Sequence, residues 1–357
     1  MKVGIIVPNN LWFCPYVQIY RSILDSENVS YDIITWCRDG KDEEGCIQYK
    51  TSAKTSNPFM KLYYYYSFAS FIKRTVKENK YDKLIVFTPQ VGIFISSFLK
   101  RNYKRKYIFD YRDLSIEQSS CFKKSFTRLL DNSAANVISS PGFKQYLPQG
   151  YNYILSHNFD IAIVKKALDN NSIEVTTLPD SIDVLTIGGI RDYESNVQVI
   201  DALANKEGFT VRFVGRGPSA DSLKVHTDEL GANNVTFEGF YPKEKEKEYV
   251  AECTFLNIFY PRKPSHDTAL SNRFYNSLIY RKPMITTADT TQGNYASMYK
   301  VGVALTDCSN LEKDLKEYLK NVDQKKYAKQ CDALLNEFVA DYEKFYNMVC
   351  KFIKNLN

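Results

Sequence analysis

The sequence predicts an α/β protein made of two similar modules, each a parallel, doubly wound sheet with helices on both faces. Three observations carry this reading. Short apolar, β-branched runs alternate with stretches of helical spacing, the pattern of repeated βαβ units. The alternation pauses at a polar stretch, residues 169–180, and then starts again. The 357 residues also exceed one average domain, so two hydrophobic cores are expected.

Residues 3–7 (VGIIV) read as a buried first strand ended by Pro8-Asn9-Asn10, and residues 11–24 take helical spacing after Pro15. Residues 31–36 (YDIITW) form a second strand, followed by a charged loop. A long helical region, 58–79, contains Tyr63-Tyr64-Tyr65-Tyr66 and ends in basic residues. Strands are expected at 83–88 (KLIVFT), 107–111 (YIFDY) and 136–140 (NVISS), with a helix at 92–99. The second set has strands at 183–187, 210–214, 234–238 and 254–259, and helices at 195–205 and 243–252.

Residues 260–287 then give a polar loop, a helix capped near Ser271, and a short β-branched run after Pro283. A helix start beside a strand end is a ready anion site, because its first N–H groups lack intrahelical partners. No glycine or proline follows Gly302, so the tail reads as helices. There Tyr327, Cys331, Leu334, Phe338, Tyr342, Phe345, Val349 and Phe352 step down one face, which must dock. The expected division is 1–168, 169–335 and a returning helix at 336–357. Sites in such folds lie at the carboxyl ends of strands, here expected in a cleft between the modules.

Composition narrows the function classes. Hydrophobic residues are 44% and charged residues 25%, ordinary for a globular protein, whereas 27 Tyr and 22 Phe are many. The net charge of +6 suits phosphates or an anionic membrane face but is too weak and dispersed for nucleic acid. Eight scattered cysteines show no zinc spacing and fit a reducing compartment. The N-terminal apolar run is too short for a signal peptide, and no run reaches the length of a spanning helix. A cytoplasmic protein is expected.

Gly188-Gly189-Ile190-Arg191 follows a strand and precedes a helix, so its amides can approach an anion, with Arg191 adding charge. Gly215-Arg216-Gly217 also follows a strand but lacks the third glycine of a dinucleotide fingerprint. Either turn alone is more often a tight βα connection than a ligand site. At 110–113 (DYRD), alternation puts Asp110 and Arg112 on one side of the strand and Tyr111 and Asp113 on the other. Two readings stay open: a structural Asp–Arg pair, or Arg112 or Asp113 orienting an acceptor hydroxyl. His226 reads as solvated, and His157 and His266 as loop residues near the site. Ser139-Ser140 is no nucleophile elbow, since G-x-S-x-G is absent. Lys100, Arg101, Lys104, Arg105 and Lys106, with Tyr103, Tyr107 and the upstream helix, form a basic aromatic surface. It is either a solvated turn or attracted to an anionic membrane at about 1 kcal/mol per basic residue.

In their order, several stretches resemble the retaining, family-4-like GT-B glycosyltransferases of bacterial capsule and O-antigen loci. Phe109–Leu114 is similar to "D-x-R-D-L", residues 137–147 to "V-x-x-S-x-G-x-x-x-x-L", and His157-Asn158-Phe159-Asp160 to "P-N-G-x-D". Residues 213–218 (FVGRGP) resemble "F-x-G-x-G-P", and 235–239 (VTFEG) resemble "V-x-F-x-G". Residues 260–287 resemble the donor motif "S-N-K-x-Y-E-x-L-x-x-G-K-P-V-I". The likeness runs along nearly the whole chain.

The resemblance implies two Rossmann-like domains facing a cleft, with the C-terminal helices packing back on the first. It implies a nucleotide-diphosphate sugar as donor, a saccharide acceptor carried on a polyprenyl lipid, and a role in capsular polysaccharide, O-antigen or lipopolysaccharide biosynthesis. The donor would meet Gly188, Gly189, Gly215, His266, Ser271, Asn272 and Asn276. Arg191, Arg273 and Asp113 would act in catalysis, and Tyr16, Arg112 and His157 would lie on the acceptor side. Neither metal nor cofactor is implied, because the leaving phosphate can take the acceptor's proton. Peripheral contact with the inner face of the plasma membrane is an open alternative. The chain departs from the family pattern at Asn276 and Thr268, where glutamates are usual, and at Ser195-Asn196, where a lysine is common. Two other functions follow from the same fold: a nucleotide-sugar epimerase, and a catalytically silent binding subunit.

Overall fold

The computed structural model describes residues 1–51, 57–169 and 181–354. They form two units, Met1–Asn158 with Ala340–Asn357, and Phe159–Val339. The polar stretch expected between the modules lies, from residue 170 on, outside the described residues.

Unit 1 runs β1 (Lys2–Ile6), α1 (Val17–Ser26), β2 (Ser30–Cys37), β3 (Cys46–Lys50), α2 (Pro58–Asn79), β4 (Lys83–Phe87), α3 (Pro89–Asn102), β5 (Tyr107–Tyr111), α4 (Ser120–Asn132), β6 (Ala135–Ile138) and β7 (Tyr153–Leu155). The sheet order is β3-β2-β1-β4-β5-β6-β7, and every pairing is parallel. Successive side chains point to opposite faces, so each apolar run feeds two cores. Ile6, Leu84, Val86 and Phe109 pack under α2, α3 and α4, with Trp36, Phe68 and Leu129. Ile5, Ile85, Phe87 and Ile108 face the other way and pack on Tyr20, Leu24, Phe345 and Val349. β3 and β7 escape the sequence pattern because they are short, half-buried edge strands.

Unit 2 runs α5 (Ile161–Asp169), β8 (Ile182–Gly189), α6 (Tyr193–Leu203), β9 (Phe209–Arg216), α7 (Ala220–Glu229), β10 (Val235–Gly239), α8 (Glu246–Glu252), β11 (Phe255–Ile258), α9 (Pro264–Thr268), α10 (Asn272–Ile279), β12 (Met284–Thr287), α11 (Thr291–Tyr299), β13 (Gly302–Leu305), α12 (Leu311–Asn321) and, as far as Val339, α13 (Gln324–Lys354). Its parallel sheet is ordered β10-β9-β8-β11-β12-β13. One face packs Leu185, Ile187, Leu256 and Ile258 on Phe274, Leu278 and Phe338. The other packs Val184, Val211, Phe213 and Phe255 on Val199, Leu203 and Leu315. α5 belongs to this unit, since Val164 is fully buried within its core.

The tail is helical, as expected: α12 is followed by the long α13, which carries the whole apolar stripe. Tyr327, Cys331, Leu334 and Phe338 of α13 complete the core of unit 2, and Phe345, Val349 and Ile353 complete that of unit 1. Burying each large side chain contributes roughly 1.5–3 kcal/mol, which explains why the apolar stripe is continuous.

Candidate functional site

In an open parallel sheet, ligands bind at the carboxyl ends of strands where the strand order reverses. In unit 2 that point lies between β8 and β11. β8 runs out through Gly188-Gly189, in register with Gly215-Arg216 of β9. Gly215 has a φ of +136°, and a Cβ there would sit 1.9 Å from the carbonyl oxygen of Gly188. Gly217 would meet the carbonyl of Ile190 at 2.0 Å. Both glycines therefore serve close backbone packing, Gly215 against Gly188 and Gly217 against Ile190. Gly188, at φ +93°, is different: a methyl there would meet only the Tyr241 hydroxyl, at 3.8 Å.

Arg191 is exposed, and its Nε folds back to within 3.5 Å of where a Cβ on Gly189 would be. Among the described residues no carboxylate forms an ion pair with it. The loop beneath is fixed by buried Asn196, whose Nδ2 donates to the carbonyls of Arg191 (2.6 Å) and Asp192 (3.1 Å). Asp192 is held in a left-handed conformation, φ +60°. Its carboxylate faces Lys263 at 3.2 Å and His266 at 3.7 Å, so His266 is tied into this loop, its ring tilted against Tyr260.

Arg273 lies at the switch point, where it is committed to backbone partners. Its side chain is buried and donates to the carbonyls of Ile187, Asn257 (3.2 Å) and Gly189 (3.0 Å). It clamps the ends of β8 and β11 across the crevice instead of presenting a guanidinium fork to an anion. The reason is topological: the first turn of α10 points at bare carbonyls of both strand ends, and a buried carbonyl must be paired. Ser271 is likewise the N-cap of α10: its Oγ accepts from the Phe274 amide (3.3 Å) and donates to Gln292 (2.7 Å). Asn272 opens the same turn.

Asn276 has a partner that no sequence pattern shows. Its Nδ2 donates to Glu246 at 2.9 Å, and the Tyr241 hydroxyl donates to the same carboxylate at 2.7 Å. Lys243 also pairs with it. Burial pushes the Glu246 carboxyl up, but bonds from Lys243, Tyr241 and Asn276 outweigh this and hold it below its ordinary value. A carboxylate thus stands beside position 276, supplied by α8. Glu246 lies in the charged run KEKEKE, residues 243–248, where no periodicity singles it out. Phe240, which follows β10, is 69% exposed and lies under the Arg216 guanidinium, 5.5 Å from its ring centroid.

The acceptor-side candidates belong to unit 1. Arg112 is not presented to solvent: it pairs with fully buried Asp110, Nη2 to Oδ2 and Nε to Oδ1 both at 2.6 Å. Tyr20 donates to the same carboxylate at 2.7 Å, and Arg112 Nη1 donates to the Ser156 carbonyl at 3.0 Å. Although burial works against the charge, Asp110 and Tyr20 raise the Arg112 pKa above its ordinary value. The structural reading of this pair is the one observed, because a strand buried on both faces gives its charged end no route to water. Tyr16 stacks over that guanidinium at 4.9 Å. Asp113 is exposed, and its Oδ1 accepts from the Leu114 amide at 2.8 Å.

His157 is not a loop histidine in water. Its ring is buried, with Nε2 3.4 Å from Asp341 on α13. Burial holds the imidazole below its ordinary pKa of 6.5, only partly offset by Asp341. Between the unfolded and folded pKa values the unfolded chain binds the proton that the buried ring refuses, so stability is lost as pH falls below 6.5. His157→Gln should flatten this slope, read as the shift in urea midpoint between about pH 7.5 and about pH 5.5. An unchanged slope would assign the titration elsewhere.

Among the described residues no three His, Cys, Asp or Glu side chains converge as for a metal ion, and no helix is long and apolar enough to cross a membrane. No family model matches the sequence, and no curated protein matches it. Solved structures do. Sucrose-phosphate synthase from Thermosynechococcus elongatus aligns with a TM-score of 0.67 at 12% identity, over 99% of this chain and 100% of that one. The lipopolysaccharide outer core galactosyltransferase WaaB, in its apo form, gives 0.68 at 13%, over 98% and 99%. Anabaena HepE in complex with UDP and glucose gives 0.65 at 14%, over 98% and 100%. With the two parallel doubly wound sheets described above, this likeness establishes that the chain has the GT-B fold.

Proposed function

We propose that this protein is a retaining glycosyltransferase that takes a nucleotide-diphosphate sugar in unit 2. The single observation that carries this reading is the arrangement at the β8–β11 switch point. A solvent-facing Arg191 lies over Gly189, and Gly188 leads through Tyr241 to the Glu246–Asn276 pair. A diphosphate needs the first of these and ribose hydroxyls suit the second, since a carboxylate accepts what a sugar donates. Phe240 offers a ring on which a planar base can stack. HepE, of the same fold, is described in complex with UDP and glucose, which supports a nucleotide sugar as ligand here.

In the reaction, an acceptor hydroxyl attacks the anomeric carbon as the bond to the diphosphate breaks. The departing phosphate oxygen takes the hydroxyl's proton, so neither a protein base nor a metal is required. Arg191 stabilises the charge that grows on the leaving group. Asp113 and Tyr16 are the acceptor-side residues of unit 1, and Arg112 and His157 act there by holding the strand ends in place. The acceptor is a saccharide on a lipid carrier, and the setting is surface polysaccharide assembly at the cytoplasmic side of a membrane. Exposed Phe59, Tyr63 and Tyr66 on α2 suit peripheral contact with that membrane.

The test is a thermal-shift panel of sugar nucleotides followed by a transfer assay with the stabilising donor. Arg191→Ala should lower turnover by about 10²–10³-fold while leaving the melting temperature of the free protein unchanged. Stabilisation and transfer that both survive Arg191→Ala would refute the site. Binding with no transfer to any saccharide would instead identify a silent binding subunit.

A further inference from the structure

A second concentration of charge lies at the opposite end of unit 1's sheet, where α2 and α3 finish and β4 and β5 begin. A cavity of about 660 Å³ opens there. That is within the range of small-molecule sites, about 300–1,000 Å³. Lys77, Lys80, Arg105 and Lys106 line it, with Tyr103 beside them. Buried Lys83 also lines it, its ammonium turned to the carbonyl of Phe352. Among the described residues Asp82 is the one lining carboxylate, and its Oδ2 already accepts from the Lys2 amide at 2.7 Å.

Helix dipoles account for only part of this. A lysine in the last turn of a helix complements the partial negative charge of the terminus, and Lys77 does so on α2. Lys80 caps the same terminus, whereas Arg105 and Lys106 lie beyond the end of α3 at Asn102, past its C-cap Tyr103. Lys80 and Arg105 are held in left-handed conformations, φ +50° and +59°, which shape the two turns that carry the charges. Arg105 is further fixed by donating to the Ser133 carbonyl at 2.6 Å. The wider surface carries the same sign: Glu78 and Asp131 are the only carboxylates in α2, α3 and α4.

We propose that this cavity is a binding site for a phosphorylated, multiply anionic ligand, separate from the crevice of unit 2. Two sources share that chemistry, an anionic phospholipid headgroup and a free polyphosphate. Either would meet a recess lined by Lys77, Lys80, Arg105 and Lys106, with Tyr103 beside them.

The experiment uses the full chain, with sodium tripolyphosphate in calorimetry and phosphatidylcholine vesicles, with or without phosphatidylglycerol, in cosedimentation. Lys77→Glu/Lys80→Glu/Lys106→Glu reverses the pocket. Lys61→Glu/Lys123→Glu/Lys124→Glu makes the same charge change elsewhere on the helical layer. Melting temperatures matching the parent protein show that both variants are folded. Tripolyphosphate should bind the parent and the second variant alike and the pocket variant at least about tenfold more weakly. Capture by phosphatidylglycerol vesicles in the same order, reversed by tripolyphosphate, supports a lipid headgroup. Tripolyphosphate binding without vesicle capture supports a soluble phosphate. Equal losses in both variants, or no binding to the parent, overturn the proposal. Binding that persists in the pocket variant but falls with Arg191→Ala belongs to unit 2 and overturns it too.

Discussion

Replacing Glu246 by alanine should weaken nucleotide-sugar binding by about 10- to 100-fold, the equivalent of about 1.5–3 kcal/mol for hydrogen bonds to a charged group. The expectation rests on where Glu246 stands. Asn276 and Tyr241 both point hydrogen-bond donors at it, and Lys243 neutralises it from the solvent side. Removing the carboxylate takes away the acceptor and leaves both donors without their common partner. Glu246→Gln keeps the volume but loses the charge, and should fall between the two. The sharper test is the exchange Glu246→Gln/Asn276→Glu, which moves the acid to α10 while keeping an amide on α8. Titration calorimetry should show affinity restored to within about threefold of the parent protein, a difference below about 1 kcal/mol. If Glu246→Ala binds the donor as tightly as the parent does, the carboxylate has no part in ribose recognition.

Arg112→Leu should destabilise unit 1 by about 3–5 kcal/mol, because it removes the paired guanidinium and leaves the fully buried Asp110 carboxylate with the Tyr20 hydroxyl as its side-chain donor. In melting temperature this amounts to about 10 °C for a unit of this size. Adding Asp110→Asn to Arg112→Leu removes the orphaned charge and should recover most of the loss. Breaking a buried pair costs more than replacing both partners. Calorimetry of the two variants distinguishes this from a role in acceptor binding. If Arg112→Leu is as stable as the parent but transfers poorly, Arg112 acts on the acceptor directly.

Periodicity and turn chemistry in the sequence determined the architecture. The runs at 3–7, 83–88, 107–111 and 183–187 are apolar on both faces, which only a sheet covered on both sides can accommodate. Gly188-Gly189 after a strand marked the turn that ends β8, and the stripe from Tyr327 to Phe352 marked a helix that had to be buried. These signals are legible because each depends on spacing along the chain. Short edge strands such as β3 carry too few residues for that signal, and their half-burial blurs it further.

The tertiary structure alone decided the use to which each polar side chain is put. Arg112 and Arg273 look in sequence like cations awaiting an anion, yet both are buried and committed to protein partners. Gly215 looks like part of an anion-binding turn, yet it exists so that two strand ends can touch. Glu246 looks like one charge in a solvated run, yet it stands against Asn276 across thirty positions of chain. Sequence gives a residue's chemistry and its local direction. The partner of a buried polar group is set by whichever unpaired donor or acceptor the fold brings within about 3 Å, and that meeting is written nowhere along the chain.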